Sequence, residues 1–192
     1  MNRPPGTPAT EAAATSAEQQ TRPRGARRLR WLLEIALVLL VYFAVSAWRE
    51  KDLLATGTDL APELALLDLD GHEVKLSDLR GKSVMIQFWA TWCGVCRQEF
   101  GALNAVSRGL GPDQAMLTVV ADGDDRERIR AFASEHELKY PILLGNEAVL
   151  RAYHVGAFPT TYFVDPRGRV AGHTVGMTTR WGLSGRLGCA RR

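Results

Sequence analysis

The chain has 192 residues and a formal net charge of +3, with 46% hydrophobic and 23% charged residues, which suits a globular domain carrying an appendage. The charge is confined to residues 1–52, which hold eight Lys/Arg and five Asp/Glu and leave sixteen of each for residues 53–192. A neutral domain offers no electrostatic footprint for nucleic acid, and three cysteines are too few for a disulfide-stapled scaffold.

Residues 1–30 are rich in Ala, Thr, Pro and Arg and poor in large apolar side chains, so they read as a disordered tail. The tail ends in Arg22, Arg24, Arg27, Arg28 and Arg30. Residues Trp31 to Trp48 carry one charge, Glu34, and are bracketed by tryptophans. A helix of that length rises about 27 Å, close to the thickness of a hydrocarbon core. We therefore expect an uncleaved transmembrane anchor over 31–48. The basic residues before it place the tail in the cytoplasm and the rest of the chain outside it. Residues 49–59 read as a linker, and 60–192 as the folded domain.

Within that domain, Glu63 to Leu69 and Glu73 to Leu76 flank Asp70-Gly71 and predict a hairpin. Ser83 to Ala90 is a nearly continuous apolar run and predicts a central strand buried on both faces. A helix is expected from Cys93 to about Leu110, a strand over 115–121 and an amphipathic helix over 125–138. A short strand over 141–144 and a short helix over 147–153 follow. Residues 160–164 and 169–175 predict a closing hairpin around Asp165-Pro166-Arg167-Gly168, and a last helix begins near Thr179. Strands alternating with helices before a closing hairpin indicate an α/β fold with a mixed sheet.

The chemistry lies in Trp92-Cys93-Gly94-Val95-Cys96. Thiol–disulfide exchange needs a thiolate, a second thiol that can close on it, and access for a partner disulfide. If a strand ends near Ala90 and a helix starts at Cys93, the first sulfur sits at the helix N-terminus. There unpaired N–H groups and the helix dipole favour the thiolate. Cys93 is then the nucleophile and Cys96, one turn in, the resolving cysteine. No cofactor is expected beyond this redox-active pair. A zinc site would need four ligands, and there is no second C-x-x-C. His72, His136, His154 and His173 show no pairing at ligand spacing, and Arg97 stands where covalent haem attachment requires histidine. Asp122, Asp124 and Asp125 read as a solvated loop capping the next helix rather than a metal loop. Cys189, near the end, is expected to be inert or packed against the last helix.

The run Phe88-Trp89-Ala90-Thr91-Trp92-Cys93-Gly94-Val95-Cys96 resembles the thioredoxin active-site signature. The stretch Leu76-Ser77-Asp78-Leu79-Arg80-Gly81-Lys82 is similar to the membrane-anchored branch typified by TlpA and ResA, and Gly156-Ala157-Phe158-Pro159-Thr160-Thr161-Tyr162 to that family's cis-proline loop. The match spans about 130 residues. It implies a thioredoxin-like fold with an N-terminal hairpin, and a periplasm-facing thiol–disulfide oxidoreductase. Pro159 would be cis and face the cysteines, and Trp92 would flank and cover the nucleophile. Thioredoxins carry an acid six residues before the first cysteine; here that position is Gln87. The ResA-type branch carries one six residues after it, here Glu99. Three residues beyond Cys96, Glu99 shares its helix face and is a candidate acceptor for the Cys96 proton. The resemblance further implies protein thiol substrates, apocytochromes among them, and electrons from a DsbD- or CcdA-type membrane donor.

Two other functions fit parts of this pattern. A peroxiredoxin-type peroxidase has a related fold but uses Thr or Ser three residues before its cysteine, where this chain has Ala90. A tethered copper-binding module could use the thiolates, but no Met or His cluster accompanies them.

Overall fold

The computed structural model describes the backbone of residues 24–50 and 53–191, and the side chains of 30–44 and 53–191. The chain forms two compact units, Met1–Ala47 and Trp48–Arg192. Helix α1 covers Arg24–Glu50, from the first unit across the boundary at Ala47. It begins inside the basic cluster, so the tail expected over 1–30 gives way to helix at Arg24; residues 1–23 lie outside those described. The large apolar side chains from Trp31 to Phe43 are exposed along it, Trp31 at 67% and Phe43 at 66%. The transmembrane helix expected over 31–48 is nevertheless not supported, because among the described residues no helix is long and apolar enough to cross a membrane.

The second unit is built on a five-stranded sheet in the order β5-β4-β3-β6-β7. Strand β3 (Ser83–Trp89) is its centre, and every residue of it is buried. It pairs in parallel with β4 (Gln114–Val120), which pairs in parallel with β5 (Ile142–Leu144). On its other side lies antiparallel β6 (Thr160–Val164), followed by antiparallel β7 (Val170–Val175). A two-stranded hairpin, β1 (Ala65–Leu67) and β2 (Glu73–Lys75), precedes the sheet, with Gly71 at φ 89° in its turn. Only glycine adopts that φ without steric cost. A single 3-10 turn over Leu76–Leu79 leads on to β3.

Alternation along β3 divides the core. Met85 and Trp89 point to one face, packed by α2 (Gly94–Arg108), α3 (Arg126–Glu135) and α5 (Arg180–Cys189) through Phe100, Leu103, Ile129, Leu183 and Leu187. Val84, Ile86 and Phe88 point to the other, covered by the hairpin and α4 (Glu147–Ala152) through Leu64, Leu66, Val149 and Tyr153. This is the mixed sheet flanked by helices that the thioredoxin-like reading requires. The segment expected to be a linker belongs in part to the domain. Leu53 and Leu54 pack against the second core, Gly57 N–H donates to Val170 O, and Leu60 bridges to Arg169.

Candidate active site

Three connections meet at the C-terminal end of β3. The first is the strand's own continuation into Cys93. The second precedes β6: Thr160 lies opposite Phe88, so Pro159 sits beside the end of β3. The third follows β7, where Gly176 N–H donates to Pro159 O at 2.8 Å. The antiparallel strands β6 and β7 thus bring Pro159, 66 residues after Cys93, and Gly176, 83 residues after it, to one end of the sheet.

Cys93 is the N-cap of α2, and its sulfur accepts the Cys96 N–H at 3.1 Å. Cys93 and Cys96 are joined by a disulfide, with their Cα atoms 5.3 Å apart. Cys93 is 7% exposed and Cys96 1%. An N-cap sulfur facing a free helix N–H occupies the place where negative charge is favoured, as the sequence predicts. The intervening Gly94 and Val95 are exposed.

The Phe158–Pro159 bond is cis. Pro159 is buried, and the Phe158 ring meets that of Trp92 edge-on at 5.6 Å. Trp92 itself is 66% exposed, so it stands beside the cysteine pair with most of its surface open.

Glu99 is 1% exposed. Its Oε2 accepts from Gln87 Nε2 at 2.6 Å, and its Oε1 accepts from the Thr178 N–H at 2.7 Å. Burial pushes the Glu99 carboxyl above the usual carboxylate range, against both hydrogen bonds, which act to lower it. The carboxyl is therefore a buried acid one turn beyond Cys96. Gln87, singled out in the sequence only because it cannot titrate, proves to be its partner.

A second polar cluster holds the approach to Cys93. Asp122, at the end of β4, accepts the Thr91 N–H at 3.0 Å and also the Thr91 hydroxyl. Arg128 of α3 bonds to Asp122, to Asp124 at 3.0 Å and to Thr91 Oγ1 at 3.2 Å. Asp125 caps α3 by accepting the Arg128 N–H. The aspartates read as a helix-capping loop thus do cap a helix, and one of them also braces the active-site loop, a role the sequence did not signal.

Elsewhere, Cys189 is an exposed thiol in the last turn of α5. Among the described residues one group of possible metal ligands, Asp68, Asp70 and His72, lies close together. It forms the turn of the β1–β2 hairpin, where Asp68 Oδ1 accepts the Asp70 and His72 N–H groups and Asp70 pairs with Arg130. The cysteine pair is not part of it.

The model of the AhpC/TSA family matches residues 58–173, which includes Cys93, Cys96, Glu99 and Pro159. The chain belongs to that family, in its TlpA/ResA-like thioredoxin branch. The chain is 31% identical to the thioredoxin-like protein YneN of Bacillus subtilis over 79% of its own length and 92% of the relative. It is 34% identical to the thiol-disulfide oxidoreductase ResA of Geobacillus thermodenitrificans over 78% of this chain and 84% of the relative. Among solved structures it resembles one assigned as the thiol:disulfide interchange protein DsbE of Chlorobium tepidum. That match has a TM-score of 0.65 and 29% identity, and covers 71% of this chain and 98% of the other. This TlpA/ResA-like chain is a protein-disulfide oxidoreductase of the ResA/DsbE type, and its substrates are protein thiols and disulfides.

Proposed function

We propose that the exchange runs through Cys93 and Cys96, with Glu99 as proton acceptor, and that the protein works as a membrane-anchored reductant of periplasmic protein thiols. The observation that carries the chemistry is the capping of α2 by Cys93 with a buried carboxyl one turn beyond Cys96. In the reduced enzyme the Cys93 thiolate attacks one sulfur of a substrate disulfide, and the other substrate sulfur leaves as a thiolate. Cys96 then attacks Cys93 Sγ, giving its proton to Glu99, and the second substrate sulfur leaves. The enzyme pair loses two electrons and the substrate disulfide gains them. Trp92, Phe158 and cis-Pro159 form the surface that a substrate chain meets at Cys93. No cofactor enters this cycle; the Cys93–Cys96 disulfide is the redox centre.

The anchor rests on the composition of Trp31–Trp48 and the arginines before it. The reductive direction rests on the ResA-like resemblance, in which a DsbD- or CcdA-type membrane protein supplies electrons and apocytochromes are among the substrates. Two measurements test these readings. Insulin reduction is expected to fall to background in Cys93→Ser, and full activity in that variant would remove the cysteine pair from the mechanism. Thiol trapping in cells is expected to find Cys93 and Cys96 mostly reduced; a mostly oxidised pair would make the protein an oxidant instead.

A further inference from the structure

Gln87 stands in the middle of the fully buried strand β3 and is itself 1% exposed. A buried amide costs stability unless both its ends are hydrogen-bonded. Only one end is: Nε2 donates to Glu99 Oε2 at 2.6 Å, while Oε1 is buried without a hydrogen-bond partner. The other Glu99 oxygen is held by the Thr178 N–H, from a loop 79 residues further along the chain. This arrangement suits an ionised Glu99, which only accepts. A protonated Glu99 has an O–H to donate, and the vacant acceptor beside it is Gln87 Oε1. A half-turn of the terminal amide exchanges its N and O without moving the rest of the side chain.

We infer that Gln87 is a positioning residue that holds Glu99 in one place through both of its protonation states. It donates from Nε2 to the carboxylate and, after an amide half-turn, accepts at Oε1 from the carboxylic acid, while the Thr178 N–H fixes the other oxygen. The inference rests on the reading of Glu99 as the acceptor of the Cys96 proton. An acid at position 87 would compete with Glu99 for that proton; an amide serves it in either state without ionising. The groups that face Glu99 are Cys96 on its own helix, Gln87 from β3, the Thr178 N–H from the loop before α5, and Tyr140 from the segment before β5. The Tyr140 phenol is pushed up by burial and further by the Glu99 charge.

The test is a carbon-13 NMR titration of the Glu99 carboxyl in the full chain in detergent, combined with the pH profile of substrate reduction. Gln87→Leu removes a donor that favours the charged carboxylate. The Glu99 titration should move to higher pH, and reduction on the acid side of the profile should fall about tenfold at unchanged KM. Gln87→Glu, the closest variant in shape, should convert the single titration into two coupled steps, and it carries the test if the leucine variant does not fold. A Glu99 titration that superimposes on the parent in both variants overturns the inference. Glu99→Gln separates it from the reading beneath it. If that variant leaves the pH profile unchanged while the Glu99 titration still moves in Gln87→Leu, the positioning role stands and the proton-acceptor role falls.

Discussion

Thr91 sits two residues before Cys93, and its amide and hydroxyl both end on Asp122. Burial pushes the Asp122 carboxyl up, but the hydrogen bonds from Thr91 and Arg128 outweigh it and hold the group below the usual carboxylate range. A carboxyl depressed by folding contributes stability above its unfolded value of about 3.9 and loses it as the pH falls through the lower folded value. Asp122→Ala strands the Thr91 N–H and should cost about 1–3 kcal/mol near neutral pH. The gap from the parent should narrow steadily below about pH 4. Urea unfolding across that range checks both; a gap independent of pH would mean that the ionised carboxylate is not what braces the loop.

At the level of elements, the site depends on how closely the loop after β5 approaches β4. The Gly145 N–H donates to Val120 O at 2.9 Å. A Cβ on Gly145 would lie 2.5 Å from that same carbonyl and 2.8 Å from Val119 Cγ1. Gly145→Ala must therefore push the loop off the end of β4, next to Asp122, and should destabilise the domain by about 1–3 kcal/mol. Gly101 provides the contrast. It lies inside α2 with open space where a Cβ would go, so Gly101→Ala should stabilise by about 0.5–1 kcal/mol through helix propensity alone. Denaturant midpoints of opposite sign for two Gly→Ala changes would establish that steric approach, not backbone freedom, sets the requirement at position 145. On the second core face, Tyr153 OH bonds to Pro62 O at 2.6 Å and Tyr162 OH to Tyr153 O at 2.7 Å. Burial pushes the Tyr162 phenol up to about 12, so both phenols stay protonated donors and tie α4 and β6 to the segment ahead of the hairpin.

For the whole molecule, the working unit begins before the first strand. Leu53 and Leu54 reach the second core, and the backbone at Gly57, Asp59 and Leu60 pairs with the start of β7. A chain cut before Leu53 should reduce insulin as the full chain does. A cut at Leu60 should lower the thermal midpoint by several degrees, since it removes two half-buried leucines packed against the core and the backbone pairing of Gly57 and Asp59 with Val170; full burial of a leucine is worth roughly 1.5–3 kcal/mol, and each of these contributes a part of that. Fractionation of the two forms tests the proposed anchor as well: the full chain should pellet with membranes and the chain from Leu53 should not. Full-length protein left in the soluble fraction would remove the anchor from the model.

Much of the fold is written locally in the chain. The unbroken apolar run of β3, the Asp70-Gly71 turn, the caps Asp125 and Thr179 and the C-x-x-C pair all act within a few residues of themselves, so period, turn chemistry and spacing place them within a residue or two. Glu99 was legible as a candidate through the ResA-like resemblance, which carries an acid six residues after the first cysteine, three residues beyond Cys96 on one helix. Its surroundings were not. The Thr178 donor is a backbone N–H, which every residue but proline carries, and it arrives from 79 residues away. Gln87 was marked only as a group that cannot titrate where thioredoxins carry an acid, and the bracing of Thr91 by Asp122 spans 31 residues with side chains that read locally as a helix cap. The sequence by itself determined the strands, the helix that Cys93 caps and the C-x-x-C spacing, because these follow from near-neighbour preferences. Only the tertiary structure decided which groups surround the buried carboxyl, because strand order and loop convergence, rather than residue type, bring those partners together.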